Sequence, residues 1–248
     1  MSASADDAPS SPFPPMTLTD EAKQELVTNY ETVLAKARAI GGDAVNVLPV
    51  SKTKHPEMIA ALLPTCTVFG ENYVQELCDK MNYFEERGLE VKFNFIGALQ
   101  SNKINKLAKE GKNSLLRIDT VSSSKVINKL SNSLATNEWS RPLGVCLQID
   151  TSLEDSKSGI PYNDVEAIKS LVELLGEKDN LEYKGLMTIG APGDMECFDR
   201  LKAVFEEVGG DVLSMGMSGD FEEAIKRGST EVRVGSTVFG KRDYPVKS

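Results

Sequence analysis

A chain of 248 residues, 40% of them hydrophobic, is long enough to bury a sizeable core and suits a single α/β domain of barrel size. It carries 28 Lys and Arg residues against 37 Asp and Glu residues, a formal net charge of -9, which argues against a surface for nucleic acid or for an anionic membrane. No apolar run approaches the length of a membrane-spanning helix.

The thiols and the single imidazole narrow the chemistry further. The four cysteines, Cys66, Cys78, Cys146 and Cys197, are scattered without a C-x-x-C pair, which predicts reduced thiols that pack as small hydrophobes in a cytoplasmic protein. His55 is the one histidine of the chain, so a metal site built from several histidines is excluded and a Ser-His or Cys-His hydrolase is disfavoured. Because a proline follows it, we interpret His55 as a residue that starts a helix.

The first 17 residues, MSASADDAPSSPFPPMT, are rich in Ser, Ala and Pro. They lack the apolar core of a signal peptide, and they carry Asp6 and Asp7 but no Lys or Arg, unlike a mitochondrial presequence. Such a composition buries too little apolar surface to order itself. We therefore expect a disordered tail over residues 1–17 and one folded domain over residues 18–248.

From residue 18 onward the chain alternates between helix and strand signals. An amphipathic helix over residues 18–41 stops at Gly41-Gly42. Strand-like runs follow at 45–52, 67–72, 92–97, 114–121, 142–150, 182–190, 212–218 and 231–240. Helical segments lie between them at 56–64, 73–88, 102–111, 122–136, 163–178, 195–208 and 220–228. Several strand runs are apolar at consecutive positions, which is typical of parallel strands covered on both faces by helices.

This alternation of eight strands with helices predicts an α/β fold, a single (β/α)8 TIM-type barrel. The chain leaves little room for a helix after the eighth strand, so we expect the N-terminal helix, 18–41, to cover that gap. The alternative is an open doubly wound sheet, which would normally bind a nucleotide through a G-x-G-x-x-G turn after the first strand. Here the first strand runs into SKTKH, without a glycine. In a barrel, the active face forms at the carboxyl ends of the strands.

Lys52 stands at the carboxyl end of the first predicted strand. Strand side chains alternate, so Leu48, Val50 and Lys52 share a face, which we expect to be the barrel interior. In apolar surroundings desolvation disfavours an ammonium ion, and the neutral amine can attack an aldehyde to form a Schiff base. The alternative is a solvated lysine at a strand end. Lys54 is the rival nucleophile, but Pro56 directs the chain out of the strand, so we place Lys54 in the loop.

The loops after the seventh and eighth strands resemble a phosphate site, which recurs at this place in barrels. Ser218 and Gly219 come just before a predicted helix, whose N-terminus can bind an anion. Gly235 and Ser236 can bring backbone N–H groups and a hydroxyl close to a phosphate. Each pair alone could equally be a simple turn. The argument rests on the two loops together with the lysine of the first strand.

Arg233 lies between two valines that we expect to face the helices, so its own side chain faces the barrel interior. An interior arginine stays charged and needs hydrogen-bond acceptors. One interpretation is an internal salt bridge with Glu231, Asp119 or Asp150. The other is contact with a ring nitrogen or a carboxylate of a bound ligand.

Seven motifs, read in chain order, resemble the pyridoxal phosphate homeostasis protein family. They are VSKTK, FGENYVQE, FIGALQSNK, DTSLEDSKSGI, GLMTIG, LSMGMSGDFEEAI and EVRVGSTVFG, and they run from about residue 45 to residue 243. That family is in turn similar to the N-terminal barrel of alanine racemases. The resemblance implies a (β/α)8 barrel that binds pyridoxal 5'-phosphate (PLP).

The resemblance also implies roles for individual residues. The first lysine of V-S-K-x-K, Lys52, would carry the cofactor as a Schiff base. The strand-eight Arg233 would approach the pyridine nitrogen, and Asn72 of F-G-E-N would lie beside the cofactor. The phosphate ligands would come from the region of the last two strands, at Ser218, Gly235 and Ser236, with Ser214 nearby.

The resemblance implies a role in PLP homeostasis, in which the protein holds PLP as a Schiff base and releases it to PLP-dependent apo-enzymes. We therefore expect a non-catalytic carrier or buffer of PLP in the cytoplasm, and an acidic exterior without a sustained apolar stripe is compatible with a monomer. The residues agree, because an arginine stays charged and a pyridine nitrogen beside it makes a weak electron sink. Racemisation needs acid or base groups on both faces of the substrate, and in alanine racemases the second base comes from a second domain that we do not find here. The alternatives are an amino-acid racemase or lyase with a one-sided site, and a Schiff-base barrel for another phosphorylated carbonyl compound.

Overall fold

The computed structural model describes residues 12–152, 158–191 and 193–240. Within these ranges eight parallel strands form a nearly closed barrel, as the sequence predicts. They are β1 Asn46–Pro49, β2 Val68–Glu71, β3 Lys92–Phe95, β4 Leu115–Val121, β5 Leu143–Asp150, β7 Leu181–Met187, β8 Val212–Met217 and β9 Glu231–Val234. A short additional strand, β6 Ile160–Pro161, pairs with β5 outside the barrel order.

The strand order closes the barrel almost completely. Neighbours follow the order β1-β9-β8-β7-β5-β4-β3-β2, and every pairing is parallel. A single parallel bridge between Val50 and Gly70 joins β1 to β2. The open doubly wound sheet is therefore excluded, and all carboxyl strand ends meet at one mouth.

Helices cover the outside of the barrel. They are α1 Asp20–Gly41, α2 Pro56–Leu62, α3 Val74–Glu85, α4 Ile104–Glu110 after a 3-10 turn at Ser101–Lys103, α5 Ser124–Thr136, α6 Val165–Gly176, α7 Glu196–Val208, α8 Phe221–Lys226 and α9 Ser236–Phe239. None of these helices is both long and apolar enough to cross a membrane.

The N-terminal helix α1 covers the gap beside the last strand, as predicted. Thr19 caps its start by accepting a hydrogen bond from the Ala22 N–H, and the helix packs against α2, α8, α9 and β1. Its buried face carries Leu26, Tyr30, Val33 and Ala37. These side chains supply the apolar cover that a regular eighth helix would give.

Several predicted strands are too long; the strand predicted over 182–190, for example, ends at Met187. The predicted strand 231–240 ends at Val234, and Ser236–Phe239 forms α9 instead. The predicted strand 45–52 ends at Pro49, with one further bridge at Val50, and the chain then turns. After Val234 the β-branched pattern continues through Thr237 and Val238 without a neighbouring strand, whereas after Val50 the polar residues Ser51 and Lys52 follow.

The core divides between the two faces of the sheet. Val47, Val232 and Val234 belong to the large cluster between strands and helices. Leu48 and Val50 belong to a small cluster inside the barrel. This confirms the predicted alternation along the first and last strands, with Arg233 on the interior face.

His55 starts α2, as predicted. Its Nδ1 accepts a hydrogen bond from the Glu57 N–H at 3.1 Å, and its Nε2 lies 2.8 Å from the Pro14 carbonyl, to which it can donate. Phe13 packs edge-on against the rings of His55 and Tyr83. The tail over residues 1–17 stays a prediction, because residues 1–11 lie outside the described residues, as do residues 241–248 of the predicted domain.

The cysteines lie where small hydrophobes pack. Cys78, Cys146 and Cys197 are buried, and Cys66 is half-buried. Burial raises the pKa of all four thiols, to about 12 for Cys78 and about 11 for Cys197. Thiols with such pKa values are poor nucleophiles at neutral pH.

Candidate functional site

A cavity of about 340 Å³ opens at the carboxyl ends of the strands. Turns that follow β1, β2, β8 and β9 form much of its wall. Six predicted site residues line it: Lys52, Asn72, Ser218, Arg233, Gly235 and Ser236. The lining has two lysines and an arginine but no carboxylate among the residues that the structure describes, so the cavity favours an anionic ligand.

A larger cavity of about 680 Å³ lies at the opposite end of the barrel. Several of its charged groups are paired with one another: Arg117 Nη2 lies 2.5 Å from Glu231 Oε1, and Lys184 Nζ lies 2.5 Å from Glu182 Oε1. Since stability residues rather than active sites are typical of that face in this fold, we place the functional site at the smaller cavity.

Lys52 lies in a turn directly after β1 and not on the strand itself. The Ser51 N–H donates to the Gly70 carbonyl at 3.0 Å, which keeps the chain paired with β2 up to that residue. The Lys54 N–H then donates back to the Ser51 carbonyl at 3.0 Å and closes the turn. Lys52 is half-buried and lines the cavity, so it reaches the barrel mouth from a turn.

The second lysine of the motif borders the same cavity. Lys54 lies in the loop, where we placed it, but its side chain is only 5% exposed and lines the cavity. Between the two lysines, Thr53 has a φ of 62°, in the left-handed region that a β-branched residue rarely adopts. The Thr53 N–H donates to Glu76 Oε1 at 2.6 Å.

A buried lysine secures the turn from the side of α3. Lys80 is 0% exposed, and its Nζ donates to the Ser51 carbonyl at 2.7 Å, to Glu71 Oε1 at 2.6 Å and to Glu76 Oε1 at 2.7 Å. The Ser51 hydroxyl also donates to Glu71 Oε1, at 2.6 Å. Burial raises the pKa of Glu71 above its ordinary value of 4.5, and the nearby Lys80 ammonium opposes that rise.

The loops after β8 and β9 come together as the sequence predicts. The Gly235 N–H donates to the Ser218 hydroxyl oxygen at 3.2 Å, which joins the two loops. Ser236 follows at the start of α9, and Gly219 lines the cavity beside Ser218. Hydroxyls and glycine backbone are the donors that a phosphate group needs at close approach.

Arg233 is buried on the interior face, with 5% of its surface exposed, and it also lines the cavity. Its Nη1 donates to the Ser214 carbonyl at 2.9 Å and to the Ser214 hydroxyl at 2.8 Å, and its Nη2 donates to the Thr188 carbonyl at 2.7 Å. Desolvation lowers the pKa of Arg233 from its ordinary value. Backbone carbonyls thus fix the guanidinium group at the cavity wall.

Ser214 occupies a different place from the other predicted site residues. It is 0% exposed and is not part of the described cavity lining. Its hydroxyl donates to Glu231 Oε1 at 3.0 Å and accepts from Arg233. The carboxylates that we considered for a salt bridge with Arg233 include Glu231 and Asp119, and both pair with Arg117. Ser214 therefore holds the Arg233 guanidinium group by hydrogen bonds from outside the described cavity lining.

Asn72 carries a buried acceptor. Its Oδ1 has no hydrogen-bond partner among the described residues, so it is available to a donor on a bound ligand. Its backbone packs closely on Gly97, where an added Cβ would lie 1.9 Å from the Asn72 carbonyl oxygen. The Thr120 hydroxyl donates to the Gly97 carbonyl at 2.6 Å and anchors this contact.

Sequence reasoning missed two parts of the site. Ile96, Ile189 and Met217 give the cavity an apolar wall, and Lys80 with Glu76 secures the Lys52 turn. The apolar lining had no distinctive signal, because isolated apolar residues at strand ends also build cores. A lysine on the apolar face of a helix, four residues after Glu76, was a usable signal for the second part.

Comparison with known proteins identifies a family and relatives that this chain resembles. The model of the family described as "Alanine racemase, N-terminal domain" matches residues 23–243. The pyridoxal phosphate homeostasis protein of Haemophilus influenzae is 39% identical over 215 residues, which cover 82% of this chain and 87% of that protein. The Homo sapiens protein of the same name is 39% identical over 235 residues, which cover 88% of this chain and 84% of that protein.

Solved structures show the same fold. PipY from Synechococcus elongatus PCC7942, solved without PLP, is 25% identical with a TM-score of 0.72, covering 87% of this chain and 100% of that chain. Its structure with PLP bound has a TM-score of 0.68 at 24% identity and the same coverage. Barrel, motifs and relatives agree: the chain belongs to the pyridoxal phosphate homeostasis protein family and contains its alanine racemase N-terminal domain.

Proposed function

We propose that this chain binds PLP at the barrel mouth and takes part in PLP homeostasis as a carrier. The observation that carries the proposal is the cavity of about 340 Å³, in which amines, a buried guanidinium and two anion-cradling loops meet. The cavity matches a small ligand that has both an aldehyde and a phosphate group. The relatives named for PLP homeostasis, and PipY with PLP bound, support the same ligand.

Each predicted residue has a task in this proposal. Bound PLP supplies an aldehyde that condenses with a primary amine. Lys52 provides that amine and is the Schiff-base lysine. Arg233, held by Ser214, would face the ring nitrogen, and the acceptor of Asn72 would lie beside the ring. Donors of the loops after β8 and β9, at Ser218, Gly235 and Ser236, would hold the phosphate group.

The carrier role follows from the groups around the cavity. Arg233 donates to backbone carbonyls and stays charged, so it has no proton to give readily to a pyridine nitrogen. A ring without that proton withdraws electrons weakly, which disfavours transamination and racemisation. In this proposal the protein is a cytoplasmic monomer that releases PLP to apo-enzymes.

An absorbance experiment tests the cofactor and its lysine. We expect the purified chain, incubated with PLP and then separated from unbound PLP by gel filtration, to absorb near the visible edge, and borohydride to remove that absorbance. Lys52→Ala should stay colourless, while the matched variant Lys54→Ala should keep the absorbance. Absorbance that survives in Lys52→Ala would contradict the assignment. Absorbance gained with another phosphorylated aldehyde but not with PLP would favour the alternative ligand class.

A turnover assay separates carrier from enzyme. We expect the PLP-loaded protein to show no sustained racemisation of alanine or serine, measured by chiral chromatography. Robust turnover that disappears in Lys52→Ala would make the chain an enzyme with a one-sided site. Transfer of PLP to an apo-enzyme, measured by its regained activity, should occur without such turnover.

A further inference from the structure

The turn that carries Lys52 is held on both sides by charged side chains of α3. Before the lysine, the Ser51 carbonyl accepts a hydrogen bond from Lys80 Nζ at 2.7 Å. After it, the Thr53 N–H donates to Glu76 Oε1 at 2.6 Å. Lys80 and Glu76 are themselves paired at 2.7 Å, so the two contacts form one connected clamp around Lys52.

Stability alone does not account for this arrangement. A fully buried ion pair is often no more stabilising than apolar side chains of similar volume. All three N–H groups of the Lys80 ammonium are used, and one of them is spent on a backbone carbonyl of the turn. Glu71 Oε2, in contrast, is buried without a partner among the described residues. Lys80 therefore donates one hydrogen bond to the turn, while one carboxylate oxygen of the same network, Glu71 Oε2, is left without a donor among the described residues.

The backbone at Thr53 needs such a restraint. Its φ of 62° is unfavourable for a β-branched residue, and strained backbone persists only where surrounding contacts fix it. The hydrogen bond to Glu76 is the contact that fixes the Thr53 N–H. If it is lost, Thr53 can return to a relaxed conformation, and the directions of Lys52 and Lys54 on either side change with it.

We propose that Lys80 and Glu76 are positioning residues that hold the amine of Lys52 in the orientation that reacts with a carbonyl ligand. They act through the backbone of residues 51–53 and not by contact with the ligand. This inference rests on the proposed function, since it concerns the amine that binds PLP. It predicts that weakening the clamp slows covalent capture and leaves the phosphate-binding loops intact.

The test uses four variants of α3 in the full chain, of which Lys80→Met is described last. Glu76→Ala removes the acceptor of the Thr53 N–H, and Glu76→Gln keeps an oxygen at that place. Asp79→Ala is the matched control, because it removes a carboxylate that bonds only to Gln75 in the described contacts. Two quantities are measured: the rate at which the absorbance spectrum of free PLP shifts to that of its Schiff base, and the affinity for pyridoxine 5'-phosphate, which has the ring and phosphate but no aldehyde.

We expect Glu76→Ala to capture PLP about tenfold more slowly, the factor that a hydrogen bond to a charged group is typically worth. Its affinity for pyridoxine 5'-phosphate should stay unchanged, Glu76→Gln should recover most of the rate, and Asp79→Ala should match the wild type. Mass spectrometry after borohydride reduction should show a larger share of adduct on Lys54 in Glu76→Ala. If the Lys80→Met variant folds, it should capture PLP more slowly than Glu76→Ala does. If it does not fold, the rates of the two Glu76 variants test the inference.

Three results would overturn the inference. Capture at the wild-type rate in Glu76→Ala would show that the clamp does not position Lys52. Equal losses of PLP capture and of pyridoxine 5'-phosphate affinity would assign the network to general folding. A wild-type chain without any adduct on Lys52 would contradict the proposed function itself and this inference with it, which distinguishes the two failures.

Discussion

Single residues at the barrel mouth act mainly on the backbone of their neighbours. Gly97 lets the Asn72 carbonyl approach to a place that a Cβ would occupy, and Thr120 anchors the glycine from the other side. Arg233 donates all three of its described hydrogen bonds to residues 188 and 214. Each of these contacts fixes the position of a group that lines the cavity, before any ligand binds.

Removing the Arg233 guanidinium should destabilise the fold. Arg233→Met removes the guanidinium donor from the Thr188 carbonyl and leaves the Ser214 carbonyl with the Thr188 N–H alone, and we expect a loss of about 2–4 kcal/mol in the free energy of unfolding. Urea unfolding measures it. Lys226→Met, which breaks an exposed ion pair with Glu223, is the control and should cost less than about 1 kcal/mol. Equal effects of the two variants would contradict the buried role of Arg233.

The buried Glu71 should make stability depend on pH. Because burial raises its pKa above 4.5, the folded protein binds this proton more tightly than the unfolded chain. The resulting stabilisation is fully present below the unfolded pKa and is lost as pH rises through the folded pKa. As pH rises through the folded pKa, the free energy of unfolding should fall more steeply for the wild type than for Glu71→Gln. Parallel profiles would contradict the raised pKa, and Glu182→Gln, at an exposed position, serves as control.

At the scale of elements, the site depends on where strands stop pairing. β1 and β9 end at Pro49 and Val234, and several residues that line the cavity, among them Lys52 and Gly235, come from the turns that follow. Helix α3 reaches across to the first of these turns through Lys80 and Glu76. Helix α1 covers β1 from outside, so the strand that leads to Lys52 is packed on both faces.

Cutting the buried face of α1 should weaken the whole barrel. Leu26 is 6% exposed in the main core, and Leu26→Ala should lower the free energy of unfolding by about 2–4 kcal/mol through lost burial and a residual cavity. Lys36→Ala on the exposed face of the same helix should change it by less than about 0.5 kcal/mol. Urea unfolding compares them. A small effect of Leu26→Ala would mean that α1 covers the barrel without stabilising it.

At the scale of the molecule, an acidic chain encloses a basic cavity. The formal net charge is -9, yet the described lining of the barrel-mouth cavity holds Lys52, Lys54 and Arg233 and no carboxylate. The carboxylates of the interior are paired elsewhere, with Arg117 and Lys80. This separation of charge gives an anionic ligand one favourable place to bind.

The sequence predicted the architecture well because the signals are local. Alternating helix and strand patterns, and the alternation of faces around Arg233, need no knowledge of distant residues. The ends of the first and last strands could not be predicted, because a strand ends where its neighbours stop pairing with it. For the same reason the pattern VRVGSTVF predicts a continuous strand, although Ser236–Phe239 is helical.

Within the site, local patterns were again predictable from the sequence, and contacts between distant elements were not. Six of the seven predicted residues line one cavity, because strand order alone brings their loops together. The motif predicts that Ser214 lies near the phosphate ligands, and the structure gives it Arg233 and Glu231 as partners. Lys80 was missed, because its contact with residue 51 joins groups from different elements that no local pattern links.

The most direct test of the central claim is peptide mass spectrometry of the protein after incubation with PLP and reduction with borohydride. The account predicts one reduced pyridoxyl phosphate group per chain, on the peptide and residue of Lys52. An adduct found on Lys54 or elsewhere instead, or a chain that carries none, would contradict it.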